Sequence, residues 1–143
     1  YRQYAQQIVR NASVLADTMA SAGARIVSGG TENHMFLTDL RSIDEDLTGK
    51  EAATLLDDLG ITLNRNSIPF DPRSPFITSG IRIGTPSVTT AGMKQEQMVT
   101  LGTAIVEILR KRNDPAVLAQ LGGVVKELAD AFPAYPVEFN GYV

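Results

Sequence analysis

The sequence predicts a single α/β domain, an α+β sandwich in which a small, mostly antiparallel sheet carries helices on one face. Three observations support this prediction. Apolar residues recur at helical spacing near both ends of the chain, short apolar runs bounded by glycine or proline lie between them, and 143 residues suit one domain with its own core. The predicted order is helix, strand, strand, helix, strand, loop, strand, helix, helix, which favours a sheet covered by helices.

The first third of the chain predicts one long helix and two strands. Apolar side chains from Tyr1 to Met19 follow the three-and-four spacing of an amphipathic helix. Gly23 is placed to end that helix in the left-handed conformation. Residues 25–27 and 34–40 are strand candidates, and the glycine-rich residues 28–31 between them are typical of a turn.

The middle of the chain predicts a short helix, a strand and an irregular loop. Thr48 and Glu51 have the spacing of a capping box, in which each side chain bonds the backbone of the other, and Gly60 is expected to stop the helix. Residues 61–64 are the third strand candidate. Prolines exclude a helix or a central strand from residues 65–78, so a stiff, extended loop is expected there.

The last part of the chain predicts a fourth strand and two helices. Residues 80–84 form the strand, followed by a turn at Thr85 and Pro86. The first closing helix ends in a run of basic residues that suits its negative dipole end. The second is expected to begin with Asp114 as its N-cap and to end before Pro133.

The charge and composition of the chain exclude several classes of function. A net charge of -3 and a pI near 5.1 provide no basic surface for nucleic acid. Without cysteine, the chain has no disulfide or thiolate metal site, and a cytoplasmic protein is expected. No apolar run reaches the roughly 20 residues that cross a bilayer. Because the chain opens at Tyr1 inside a helical pattern and has no initiator Met, we expect it to be a fragment.

Arg82 is the first candidate binding residue, because it lies between Gly80 and Gly84 in a predicted strand. Side chains alternate along a strand, so Ile81 and Ile83 should point to one face of the sheet and Arg82 to the other. Glycines leave room for a ligand to approach the backbone, and a guanidinium binds a carboxylate through two parallel hydrogen bonds. The alternative is a surface arginine, or one in an internal salt bridge.

The proline-rich loop is the second candidate, because long irregular loops in compact domains often bind ligands. Asn66 and Ser74 could present hydrogen bonds there, although a stiff connector across the end of the sheet explains the loop equally well. His34 is the sole histidine and has no neighbouring ligands at metal-site spacing, so a hydrogen-bonded strand residue is expected and no metal site is predicted. These residues indicate binding and do not supply a reaction by themselves.

Three segments, residues 28–34, 47–52 and 64–86, together resemble the C-terminal domain of bacterial serine hydroxymethyltransferase. The most specific stretch runs from Ser74 to Pro86. The resemblance implies the small domain of an enzyme of the aspartate aminotransferase fold (fold type I), dependent on pyridoxal phosphate, that interconverts serine and glycine. The resemblance further implies that residues 1–143 form one C-terminal domain, that residues 1–23 are an inter-domain helix, and that the large cofactor-binding domain would lie outside the chain.

The resemblance also implies roles for particular residues. Arg82 would bind the carboxylate of serine or glycine, whereas Asn66, Ser74, Pro75 and Phe76 would contact the co-substrate tetrahydrofolate. The lysine that bonds pyridoxal phosphate lies outside this chain, so no catalytic residue is assigned here and the chain alone should be inactive. The implied partners are the chain's own N-terminal domain and a second subunit in a homodimer, without nucleic acid or membrane.

Two other functions are compatible with the pattern, because a fold does not fix a function. The chain could be a stand-alone regulatory module that binds a free amino acid. It could also be an interaction domain without a small ligand, in which Arg82 forms an ordinary salt bridge and the proline loop packs against a partner chain.

Overall fold

The computed structural model describes residues 2–27 and 34–133 of the chain, and the elements below are those of this part. The helices are α1 Arg2–Ser21, α2 Gly49–Asp58, α3 Pro86–Thr90, α4 Gln95–Arg110 and α5 Pro115–Ala131, with a 3-10 turn at Leu40–Ser42. The strands are β1 Arg25–Ile26, β2 Met35–Asp39, β3 Asn64–Asn66 and β4 Gly80–Gly84. This architecture confirms the predicted α/β class.

The four strands form one antiparallel sheet in the order β1-β2-β4-β3. Phe36 lies opposite Ile83 and Thr38 opposite Ile81, and all four side chains are buried. Because opposite residues share a face, this row defines the core face of the sheet. The other face carries Arg82 and is called the open face below.

The helices bury their apolar sides against the core face. Leu15 of α1 and Ile105 of α4 are fully buried in one cluster with Phe36 and Ile83. Helices α1 and α4 approach closely at Gly102, where an added Cβ would lie 3.0 Å from Thr18 Cγ2. None of the helices in the described ranges is long and apolar enough to span a membrane.

Several predicted boundaries are confirmed. Helix α1 is followed by Gly23 at φ +105°, and α2 by Gly60 at φ +94°, the left-handed conformation that glycine adopts without strain. Strand β4 has the predicted limits. Asp114 caps α5, because its carboxylate accepts a hydrogen bond from Val117 N at 3.3 Å.

The third strand was predicted at residues 61–64, which is wrong. The observed strand is β3 Asn64–Asn66, which pairs with Gly80–Arg82 at the edge of the sheet. Ile61 and Leu63 are half-buried against the core, so their apolar character reflects packing. A short apolar run in a sequence cannot by itself distinguish a strand from an irregular segment whose side chains pack against the core.

Two other predictions are corrected. The turn predicted at Thr85 and Pro86 is wrong, because the residues after β4 form helix α3 with Pro86 in its first turn. Proline is favourable there because the first N–H groups of a helix have no partner within the helix. The capping box of α2 is half formed. Thr48 accepts from Glu51 N at 3.0 Å, but the Glu51 carboxylate lies 3.4 Å from Arg112 Nε. The turn predicted at residues 28–31 lies outside the described residues.

The loop between β3 and β4 is folded back on itself, so the predicted extended course is wrong. Asp71 N donates to Ile68 O at 3.1 Å, which closes a first turn. A second turn closes where Ile77 N and Thr78 N both donate to Ser74 O, at 3.0 and 2.9 Å. Prolines restrict the loop to few conformations, and these turns select a compact one.

Candidate functional site

Arg82 stands in the middle of the open face of the sheet. Its cross-strand neighbours are Leu37 of β2 and Asn64 of β3. The side chain is exposed, whereas Ile81 and Ile83 on either side are buried, as the alternation of a strand requires. Strand pairing on both sides fixes the backbone from which the guanidinium projects.

The Arg82 guanidinium has no hydrogen bond and no ion pair within residues 2–27 and 34–133. Two other arginines show the contrast, since Arg25 and Arg41 each lie 2.9 Å from an oxygen of Asp39. Hydrogen bonds from Arg41 hold the pKa of the buried Asp39 carboxyl below its ordinary value. The five donors of Arg82 are therefore available to an external anion.

A cavity of about 680 Å³ lies beside Arg82. Its wall includes Leu15, Ile83 and Ile105, so much of it lies on the core side of the sheet. Arg82, Asn64 and His34 are also among its lining residues, although the Arg82 side chain projects to the open face. An apolar recess with few polar groups at fixed positions is the usual form of a small-molecule site. We refer to this recess as the Arg82 cavity.

The two glycines around Arg82 have different environments. Gly84 lines the Arg82 cavity, and an added Cβ there would meet only His34 O at 3.3 Å among close neighbours. At Gly80, an added Cβ would lie 2.7 Å from Ile68 Cγ2 and 2.8 Å from Asn66 O. The prediction that both glycines leave room for a ligand is therefore wrong at Gly80, where the chain itself fills the space.

Asn66 lies on the open face, in the row next to Arg82. It pairs with Gly80, two residues before Arg82 on the same strand, so both side chains project to the same side. Its carboxamide donates to the adjacent Ser67 O at 2.9 Å, which leaves its oxygen free to accept from a ligand. The structure therefore brings Asn66 next to Arg82.

Ser74, Pro75 and Phe76 occupy the second turn of the loop and are not among the residues that line the Arg82 cavity. Phe76 is 75% exposed. Phe70, in the first turn, is fully exposed at a φ of +57°. The loop thus presents two aromatic rings to solvent, and the ring at position 70 is a candidate contact that the sequence prediction omitted.

Asp71 organises the loop and was not predicted as a functional residue. One carboxylate oxygen accepts from Ser79 N at 2.8 Å and Ile68 N at 3.2 Å. The other accepts from Ser79 Oγ at 2.7 Å and Arg73 N at 2.9 Å. Burial alone would raise the pKa of Asp71, but these hydrogen bonds outweigh it and lower the pKa to about 2.

The loop is also tied to the N-terminus of α2. Gly49 N donates to Thr78 O and Lys50 N to Ile77 O, both at 3.0 Å. An added Cβ on Gly49 would overlap Thr78 Oγ1 and lie 2.6 Å from Gly80 O. The glycine of the segment 47–52 therefore allows the helix end to approach the loop closely, which satisfies two N–H groups at the start of the helix.

His34 is exposed at the rim of the Arg82 cavity, and its backbone carbonyl accepts from Thr85 N at 3.0 Å. Within the described ranges, no group of three or more acidic or histidine side chains is placed to bind a metal. None of the residues lining the Arg82 cavity is a lysine. Arg82 is thus the permanently charged cation among the described residues that line the Arg82 cavity.

The fold and the site define an α/β domain whose antiparallel sheet presents on its open face an arginine without a partner among the described residues. The serine hydroxymethyltransferase family model matches residues 1–105, and the chain belongs to this family. Serine hydroxymethyltransferase of Myxococcus xanthus is 50% identical over 135 residues, which cover 94% of this chain and 32% of that relative.

Two further relatives agree with this assignment. The serine hydroxymethyltransferases of Crocosphaera subtropica and Rippkaea orientalis are each 46% identical over 136 residues, or 95% of the chain. The chain spans about a third of the length of these relatives. The matches confirm the predicted family and favour it over a stand-alone regulatory or interaction module.

Proposed function

We propose that the chain is the C-terminal domain of an enzyme that interconverts serine and glycine, and that Arg82 binds the substrate carboxylate. The observation that supports this role is the guanidinium on the open face, which has no partner within residues 2–27 and 34–133 and projects from a strand that is paired on both sides. A planar guanidinium matches the two oxygens of a carboxylate, which a lysine ammonium cannot do. Residues 1–23 would connect this domain to the rest of the enzyme.

Binding the carboxylate at Arg82 would also orient the substrate. A carboxylate held at two points fixes the directions of the other bonds at the α carbon. Pyridoxal phosphate, bound by the rest of the enzyme, would supply the electron sink for cleavage of one of those bonds. The family resemblance implies that the lysine that bonds pyridoxal phosphate lies outside this chain, so the contribution of this chain would be positioning, and the chain alone is expected to be inactive.

We further propose that Asn66, Ser74, Pro75 and Phe76 contact tetrahydrofolate, the acceptor of the one-carbon unit. Asn66 lies on the open face beside Arg82, and the exposed ring of Phe76 offers a surface for a flat heterocycle. Four hydrogen bonds to Asp71 hold the loop in place before a ligand arrives, which lowers the entropy cost of binding. The complete enzyme is expected to be a cytoplasmic homodimer.

The test is the substitution Arg82→Lys in the full-length enzyme. Lysine keeps the charge but loses the paired hydrogen bonds, so we expect kcat/KM for serine cleavage to fall by roughly 10- to 100-fold. Arg65→Lys is the matched control, because Arg65 is also exposed and lies on the next strand but pairs in register with the buried Ile81. An unchanged kcat/KM in the Arg82→Lys enzyme would contradict the proposal.

A further inference from the structure

Arg82 has only one polar cross-strand neighbour on the open face. On one side lies Leu37, a half-buried apolar residue, and on the other lies Asn64. Directly opposite residues of an antiparallel pair have Cβ atoms about 4.5–5.5 Å apart. The carboxamide of Asn64 can therefore reach the same ligand as the guanidinium of Arg82.

Asn64 is also free to bind a ligand. Its side chain is exposed and makes no hydrogen bond within residues 2–27 and 34–133. Both Asn64 and Arg82 line the Arg82 cavity. The other asparagine of β3, Asn66, lies one row away and already donates to Ser67 O. Of the two asparagines of β3, Asn64 is thus the one directly opposite Arg82, and its carboxamide N–H groups have no hydrogen-bond partner among the described residues.

We propose that Asn64 is the second member of the carboxylate site and donates a carboxamide N–H to the anion that Arg82 binds. This inference rests on the proposed function, since it names a further residue for the same substrate. A carboxylate has about four acceptor positions, of which a two-pronged arginine occupies two, so one additional donor completes its solvation. A neutral amide adds this bond without a second positive charge, which suits a ligand with a single carboxylate.

Two substitutions at position 64 separate recognition from a structural role. Asn64→Ala removes the donor, whereas Asn64→Asp keeps the shape but places a carboxylate beside Arg82 that competes with the substrate. If Asn64 binds the ligand, the aspartate variant is the more impaired of the two. If Asn64 only supports the strand, the aspartate variant is the milder one because it conserves the volume of the side chain.

The experiment uses the full-length enzyme and serine, with glycine binding followed by calorimetry. We expect KM for serine to rise about 10-fold in Asn64→Ala and about 100-fold in Asn64→Asp, since hydrogen bonds to charged groups carry this range of energy. Arg65→Ala is the control within the same strand, because its partner in register is the buried Ile81. Cofactor absorbance and melting temperature should be those of the unsubstituted enzyme in all three variants.

The possible outcomes distinguish this inference from the proposed function. If the unsubstituted enzyme does not cleave serine, or if the Arg82→Lys enzyme is as active as the unsubstituted one, the proposed function fails and the inference fails with it. If Arg82→Lys is impaired while both Asn64 variants stay within about twofold in KM, only the inference fails. Equal losses in Asn64→Ala and Arg65→Ala, or an aspartate variant milder than the alanine variant, would also reject it.

Discussion

Asp71 offers the sharpest test of how the loop beside the open face is held. Each oxygen of its carboxylate accepts two hydrogen bonds, one pair from Ser79 N and Ile68 N and the other from Ser79 Oγ and Arg73 N. In Asp71→Asn, one oxygen becomes an NH₂ group that cannot accept. The less costly orientation places NH₂ toward Ser79 Oγ, which can rotate and accept, so the bond from Arg73 N is lost.

The expected cost follows from these contacts. Loss of one hydrogen bond to a charged group, together with weaker bonds to the remaining neutral oxygen, should reduce the free energy of unfolding by about 1.5–3 kcal/mol at neutral pH. The measurement is urea unfolding of the chain. Asp130→Asn is the control, because Asp130 pairs with the exposed Lys126 at 3.0 Å and the substitution should change stability by less than about 0.5 kcal/mol.

A pH series identifies the carboxylate as the cause. The pKa of Asp71 falls from 3.8 to about 2 on folding. This shift corresponds to about 2 kcal/mol, reduced to about 1 kcal/mol by solvent at a partly exposed site. Because the folded pKa is depressed, this stability is present above about pH 4 and is lost as the pH falls through 2. The stability difference between the original chain and Asp71→Asn should shrink over that range, and a constant difference would refute the reasoning.

Two further predictions concern packing and ion pairing away from the loop. Gly80→Ala should lower the free energy of unfolding, measured by urea denaturation, by about 2–3 kcal/mol, because the new Cβ would lie 2.8 Å from Asn66 O and 3.0 Å from Thr38 O. Gly84→Ala is the control and should cost less than about 1 kcal/mol. Equal costs at the two glycines would contradict the assigned geometry. Arg112→Met should lower the melting temperature by about 5 °C, because the Arg112 guanidinium donates hydrogen bonds to Asp44 at 3.0 Å and to Leu109 O at 3.2 Å. The control is Lys111→Met at the adjacent, exposed position. Equal shifts in melting temperature would contradict the role of Arg112.

The parts of the fold that could be predicted from the sequence depend on local rules. Helical spacing, the N-cap at Asp114 and the glycines after α1 and α2 act within a few residues, and the structure agrees with each. The outward direction of Arg82 follows from alternation between the buried Ile81 and Ile83. Its position was therefore predictable, and the guanidinium itself indicated a carboxylate, although the identity of that ligand as serine or glycine was implied by family resemblance alone.

The parts that were missed depend on contacts between residues that are distant in sequence. The start of β3 at Asn64 is set by pairing with β4, which begins 16 residues later at Gly80. Asp71 obtains its importance from Ser79, eight residues away, and no spacing rule signals that contact. Gly80 was predicted to leave room for a ligand because glycine has no side chain, whereas the space beside it is filled by Ile68 and by the carbonyls of neighbouring strands.

The backbone of the loop provides a reason to regard the site as formed before ligand binding. Thr78 has a φ of +61°, a conformation that costs a β-branched residue about 1–3 kcal/mol. It is retained because Thr78 Oγ1 donates to Gly80 O at 3.1 Å and Thr78 O accepts from Gly49 N at 3.0 Å. Both contacts fix the strand that carries Arg82, two residues beyond Gly80. The energy stored at Thr78 is thus offset by bonds that hold the backbone at the start of β4, so a ligand would meet a strand whose backbone is already ordered.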